Sequence, residues 1–209
     1  MSELRASDPK QRMPAEARRR QLLEVALEKF AARGFHETSM EEIADAAGVT
    51  KPVLYQHFHS KQDLFLELLE SEGNDLQRDV MERAAAETDP YQQVLAGFRA
   101  YFDFVCNRTS AFQLLFGSGA RLADDFTDSV RRNEEAIANV IGRFIDADID
   151  TEHRDLLGHA IVGLGEVAGR RWLATHDAGE MESADADQMA VRMADLVWAG
   201  LRALPPENH

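Results

Sequence analysis

At 209 residues, with 44% hydrophobic and 29% charged positions, the chain is long enough to bury a core and too ordinary in composition to be disordered, collagen-like or built on disulfides. Its one cysteine, Cys106, allows no internal disulfide, and no uncharged run exceeds the twelve residues 109–120, so neither a leader nor a membrane span is expected and the chain reads as reduced and cytoplasmic. The net charge of −14 opposes nucleic-acid binding by the surface as a whole, but residues 1–63 hold ten Lys and Arg against ten Asp and Glu, whereas residues 64–209 hold thirteen against twenty-seven. Phosphate binding is therefore open only to the N-terminal head.

In chain order, Leu22, Leu23, Ala26, Leu27 and Phe30 mark one face of a helix from about Pro14 to Arg33, with Gly34 as its stop. In TSMEEIADAAG, Thr38 or Ser39 can cap and Glu41 or Glu42 can close a capping box on a short helix whose inward stripe is Met40, Ile43, Ala44 and Ala47. After Gly48 and Val49, Thr50 can cap a third helix with Pro52 in its first turn, where no amide partner is lost. That helix offers only Leu54 and Phe58 for packing. Ser60 and Asp63 open a fourth helix to about Glu87, and further helices are expected from Pro90 to about Asn107, Ser110 to Gly117, Leu122 to Phe144, Glu152 to Thr175 and Ser183 to Leu204. No strand alternation or repeat is visible. The fold class is all-α with about nine helices: a three-helix N-terminal domain with its arm over residues 1–63, joined through a long fourth helix to a helical domain over 64–209.

Helices two and three, joined at Gly48, describe a helix-turn-helix, and a third helix that buries two residues needs another use for its polar faces. The segment TSMEEIADAAGVTKPVLYQHFHSKQDL, residues 38–64, resembles the DNA-binding signature of tetracycline-repressor-type (TetR family) regulators, and with the preceding helix and Gly34-Phe35 the resemblance covers about the first 70 residues. It implies that Lys51, Pro52 and Val53 face bases, that Tyr55 and His57 meet the sugar-phosphate backbone, that Lys61 holds a phosphate, and that Ser39 touches one at the start of the second helix. Independently, Lys can donate to guanine, Gln56 can pair with adenine, and Pro52 or Val53 offers apolar contact to a thymine methyl. Arg18, Arg19 and Arg20 either approach phosphates or form a solvated helix end.

In GHAIVGLGEVAG, residues 158–169, glycines recur at a cost of about 1 kcal/mol each relative to alanine, which asks for close backbone approach. The resemblance implies that the last two helices pair with those of a second subunit, and Gly158, Ile161, Val162, Gly165, Gly169, Met193 and Val197 are the expected dimer face, packing within the monomer being the alternative. The family also implies an effector cavity in the body. Phe98, Tyr101, Phe102, Val105, Phe112, Leu115, Phe116, Ile141 and Phe144 are the expected lining, which favours a hydrophobic ligand over a sugar. AYFDFVCNRTSAFQLLF and GLGEVAGRRWL are similar, more weakly, to the sensing domains of actinobacterial acyl-CoA-responsive fatty-acid regulators.

Other chemistries lack their residues. DADID-TE from Asp146 has Thr151 and Leu157 where a calcium loop needs Gly and Glu; His57/His59 and His153/His159 lack metal-ligand spacing; no phosphate loop or nucleophile elbow is present. The expectation is a non-enzymatic, ligand-responsive regulator without metal or cofactor, most simply a repressor that binds a palindromic operator as a homodimer, with double-stranded DNA and a small hydrophobic effector, a fatty acyl compound being one candidate, as partners and no membrane. The alternative is a helical adaptor without operator specificity.

Overall fold

The computed structural model describes residues 14–117, 126–145, 147–175 and 183–205, and the regular structure among them is helical throughout, as the patterning predicts. Helix α1 (Ala15–Glu37) buries Leu22, Ala26 and Phe30 at four-residue spacing. It is broken at Gly34, whose φ of 79° lies in the left-handed region, so its continuous part ends at Arg33. The Thr38 hydroxyl is not a cap; it turns inward and donates to the Gly34 carbonyl at 2.8 Å. The cap of α2 (Met40–Ala46) is Ser39, closed reciprocally with Glu42. Those bonds from Ser39, with the Arg33 guanidinium, hold the Glu42 carboxyl below the usual carboxylate range.

Helix α3 (Lys51–His57) carries Pro52 in its first turn, but Thr50, expected to cap it, occupies the N-cap position without a side-chain bond. Ser60 accepts from the Asp63 amide to start the long α4 (Lys61–Ala85), and Asp89 does the same for α5 (Pro90–Asn107) through Gln92. Helices α6 (Thr109–Phe116), α7 (Thr127–Gly142), α8 (Thr151–Thr175) and α9 (Ser183–Leu201) complete the described chain. The expected start of α7 near Leu122 lies outside the described residues, and α9 stops three residues before the expected Leu204.

Helix α5 is the axis of the body, with α4, α6, α8 and α9 packed on it, while α7 lies against α4 and α8. Helices α1, α2 and α3 form the head, and α1 also rests on α4 and α6. The junction near residue 63 lies within a continuous apolar core. Phe65 of α4 meets Phe30 edge-on at 5.0 Å between ring centroids, and Phe126 touches both Phe35 at 4.6 Å and Phe65 at 4.5 Å. The start of α4 thus shares core with both parts, so a shift of α4 is felt by the head.

Candidate nucleic-acid interface and ligand cavity

The turn between α2 and α3 is closed by the Val49 amide donating to the Ala44 carbonyl at 3.0 Å, and Gly48 supplies its left-handed residue at φ 65°. Ala44 is buried beneath it, so the helices cross closely. Leu54 and Phe58 are fully buried and seat α3 against the head core, worth about 2 kcal/mol each on transfer grounds. Lys51, Pro52, Tyr55 and Gln56 are exposed, and Val53 and His57 are half-buried. The six residues expected on the DNA-facing surface of α3 thus all keep accessible area, in an arrangement where one cation, two amphipathic rings, an amide and two apolar side chains project from a single short cylinder. The Nζ of Lys51 lies 3.9 Å from a Glu41 carboxylate oxygen with both groups largely in solvent, an ion pair that phosphate or a base edge can displace.

Two basic residues are already engaged. The Arg19 guanidinium donates to the His57 carbonyl at 2.7 Å, pairs with Glu67 of α4, and lies 4.4 Å from the Phe58 ring centroid. It therefore clamps the end of α3, rather than lying loose on a solvated helix end. Lys61 is engaged as well: its Nζ donates to the carbonyls of Phe35 and Thr38, both at 2.8 Å, and stands 4.3 Å over the Phe35 ring, at the carbonyl-rich end of α1. Ser39 is exposed, with its hydroxyl engaged in the capping box.

In the body, α4, α5, α6, α7, α8 and α9 line an apolar cavity that is partly open to solvent. Of the expected lining, Phe98, Tyr101, Phe116, Ile141 and Phe144 face it. Phe102, Val105, Phe112 and Leu115 do not; they are buried in the surrounding core, because an aromatic-rich helix buried on several sides can give only one face to a cavity. Leu76 and Val80 of α4 and Gln93, Val94 and Gly97 of α5 also line it. The Gln93-Gly97-Tyr101 spacing of four was the available signal for the α5 wall, and its aromatic density drew attention away from it.

Residues 22–68 match the family described as "Bacterial regulatory proteins, tetR family". Over 196 residues, 93% of this chain and 87% of the relative, the sequence is 31% identical to the HTH-type transcriptional activator FasR of Mycolicibacterium smegmatis. The chain belongs to the tetR family of transcriptional regulators. A TetR-like transcriptional regulator from Rhodococcus sp. RHA1 superposes with a TM-score of 0.73 at 28% identity, covering 91% of this chain and 99% of that one. The regulator FadR of Bacillus subtilis, solved in complex with stearoyl-CoA, shares the fold with a TM-score of 0.72 at 16% identity over 87% of this chain and 98% of its own.

For a tetR-family chain the position of the α8 glycines is informative. A Cβ on Gly158 would stand 2.5 Å from the Ala138 carbonyl oxygen, one on Gly165 would stand 3.4 Å from the Tyr101 ring, and one on Gly169 would stand 3.0 Å from the Tyr101 hydroxyl and the Phe112 ring. Close approach is the reason for these glycines, but their neighbours are α7, α5 and α6 of the same subunit. Ile161, Val162 and Val197 likewise line the cavity, and Met193 packs on the core. The expected dimer face is thus the inner side of α8 and α9. The outer side of α8 carries Leu156 (64% exposed), Ala160, Gly163 and Val167 (59%) in one stripe, and α9 leaves Leu196 (60%), Ala199 and Gly200 exposed. No helix among the described residues is long and apolar enough to cross a membrane.

Proposed function

We propose that this tetR-family regulator reads a palindromic operator as a homodimer through the exposed face of α3 and is released from it by a hydrophobic effector held in the body cavity. The observation that carries the reading is that α3 buries Leu54 and Phe58 completely while Lys51, Pro52, Tyr55 and Gln56 stay exposed: the helix is anchored by two side chains and offers the rest outward. Residues 1–63 serve as the reading head and residues 64–209 as the sensing and dimerising body. Lys51, Pro52, Val53 and Gln56 meet base edges, and Ser39, Tyr55 and His57 position the head on phosphates.

Two heads read two half-sites about one helical turn apart only if the bodies associate, and the exposed apolar stripe from Leu156 to Val167 with Leu196 of α9 is the surface that a second copy covers. An apolar cavity suits a fatty acyl group, a reading supported by the stearoyl-CoA bound in the similarly folded FadR. The effector acts by binding the DNA-incompetent dimer more tightly than the competent one.

Activation is the second reading, favoured by the activator FasR among the relatives. Genomic-library selection with the purified protein yields the operator, and titration of long-chain acyl-CoA against that complex then tests release. A repressor's target transcripts rise when its gene is deleted, whereas an activator's fall. Undiminished operator affinity in the presence of every hydrophobic ligand tried would remove the effector mechanism.

A further inference from the structure

Asn133 of α7 sets a polar side chain against the backbone of α4. Its amide donates to the Leu69 carbonyl at 3.0 Å and occupies the notch left by Gly73, where a Cβ would stand 2.8 Å from the amide carbon and nitrogen. Gly73 is buried in the middle of a long helix, a position where glycine weakens the helix, and the space it frees is the space that Asn133 takes. On another side of the same turns, Glu72 and Asp75 both pair with Arg108, the residue that follows α5. Polar bonds from two neighbours thus grip α4 over residues 69–75.

Beyond this grip, in both directions, the contacts of α4 are apolar. Leu76 and Val80 line the cavity, as do Ile137 and Ile141, which stand one and two turns beyond Asn133 on α7. Toward the other end, Leu64 and Phe65 are buried in the core shared with the head. Val80 lies about 10 Å along the helix from Gly73, and Phe65 about 12 Å the other way. Apolar contact is non-directional and tolerates sliding, whereas a hydrogen bond holds one alignment. The grip at 69–75 is therefore the point of α4 least free to translate.

Resting on the cavity as effector site, we infer that Asn133 is the positioning residue that couples this site to the head, by pinning α4 at Leu69 and Gly73. An effector that presses on Leu76 and Val80 then tilts α4 about the pin and swings Phe65, with the head core around it, the opposite way. Without the pin, the same pressure parts α4 from α7 locally and does not reach the head.

The test measures operator affinity of the full-length protein with and without saturating stearoyl-CoA, and stearoyl-CoA affinity by calorimetry. Wild type is compared with Asn133→Ala, with Gly73→Ala, whose methyl displaces the Asn133 amide, and with Asn139→Ala, which alters an exposed residue on the same helix. The quantity read is the factor by which stearoyl-CoA changes operator affinity; couplings of about 5–150-fold are usual. Asn133→Ala and Gly73→Ala should each reduce that factor about fivefold or more, while each ligand alone binds within about threefold of its wild-type affinity. Asn139→Ala should leave it unchanged. An undiminished factor in Asn133→Ala overturns the inference and leaves the cavity as effector site. A factor that falls only because the variants no longer bind operator on their own marks a purely structural bond and overturns it too. If stearoyl-CoA leaves wild-type operator affinity unchanged, the effector reading falls and the inference with it.

Discussion

The Arg19 guanidinium reaches from α1 to the carbonyl of His57, the last residue of α3, at 2.7 Å and lies over the neighbouring Phe58 ring. It thereby fixes the end of the reading helix to the head core and, through Glu67, to α4. Arg19→Ala should lower stability by about 1–2 kcal/mol, seen as a fall of several degrees in Tm, and weaken operator binding without changing which sequence is preferred. A loss of affinity with unchanged Tm would assign Arg19 to DNA instead.

Lys61 makes the matching prediction at the other end of the head. Its ammonium satisfies carbonyls that would otherwise be left at the broken end of α1. Lys61→Met, which keeps the apolar stem, should cost about 1–2 kcal/mol in thermal or denaturant unfolding and leave the salt slope of DNA binding unaltered. A slope reduced by about one unit would restore the phosphate role.

Glu72 of α4 is buried and paired with Arg108, which also reaches Asp75 at 3.3 Å. Burial raises its carboxyl above the ordinary value of 4.5 despite Arg108. A raised folded-state value means that the native protein binds the proton more tightly than the unfolded chain. The stabilisation from this group is complete below the unfolded value and is lost as pH rises through the folded one. Arg108→Ala should cost about 2 kcal/mol at pH 7, a figure reduced from that of a fully buried pair because Arg108 is partly exposed, and less near pH 5. Glu72→Gln in the same background should remove that pH dependence in urea titrations.

The two sides of α8 should respond oppositely. Gly158→Ala drives a methyl into the Ala138 carbonyl and should destabilise the subunit by about 1–3 kcal/mol. Val167→Glu, on the exposed stripe, should leave the subunit folded and shift sedimentation from dimer to monomer. A dimer that survives Val167→Glu together with Leu156→Glu places the interface elsewhere.

The head was legible because its determinants are local: a capping box within four residues, a left-handed Gly48, and a helix with only Leu54 and Phe58 to bury. The roles of Arg19 and Lys61 were not, since each depends on carbonyls more than twenty residues away that no spacing rule connects. Along α8 the periodicity announced close packing at Gly158, Gly165 and Gly169, but a helical stripe does not say which neighbour it meets. The apolar residues around it are needed both by a cavity inside the subunit and by a partner outside, and only the three-dimensional placement of Tyr101 and Ala138 separates the two sides. Residues 98–116 likewise announced aromatic volume without telling wall from core.

Whether α3 reads a duplex is decided by operator binding of wild type and Lys51→Ala across a range of salt concentrations. Wild-type affinity should fall steeply and linearly with salt on logarithmic axes, and Lys51→Ala should lose about 1–3 kcal/mol of operator affinity and relax the preference at one base pair, with Tm unchanged. Salt-independent binding, or a Lys51→Ala protein that recognises the operator as well as wild type does, would contradict it.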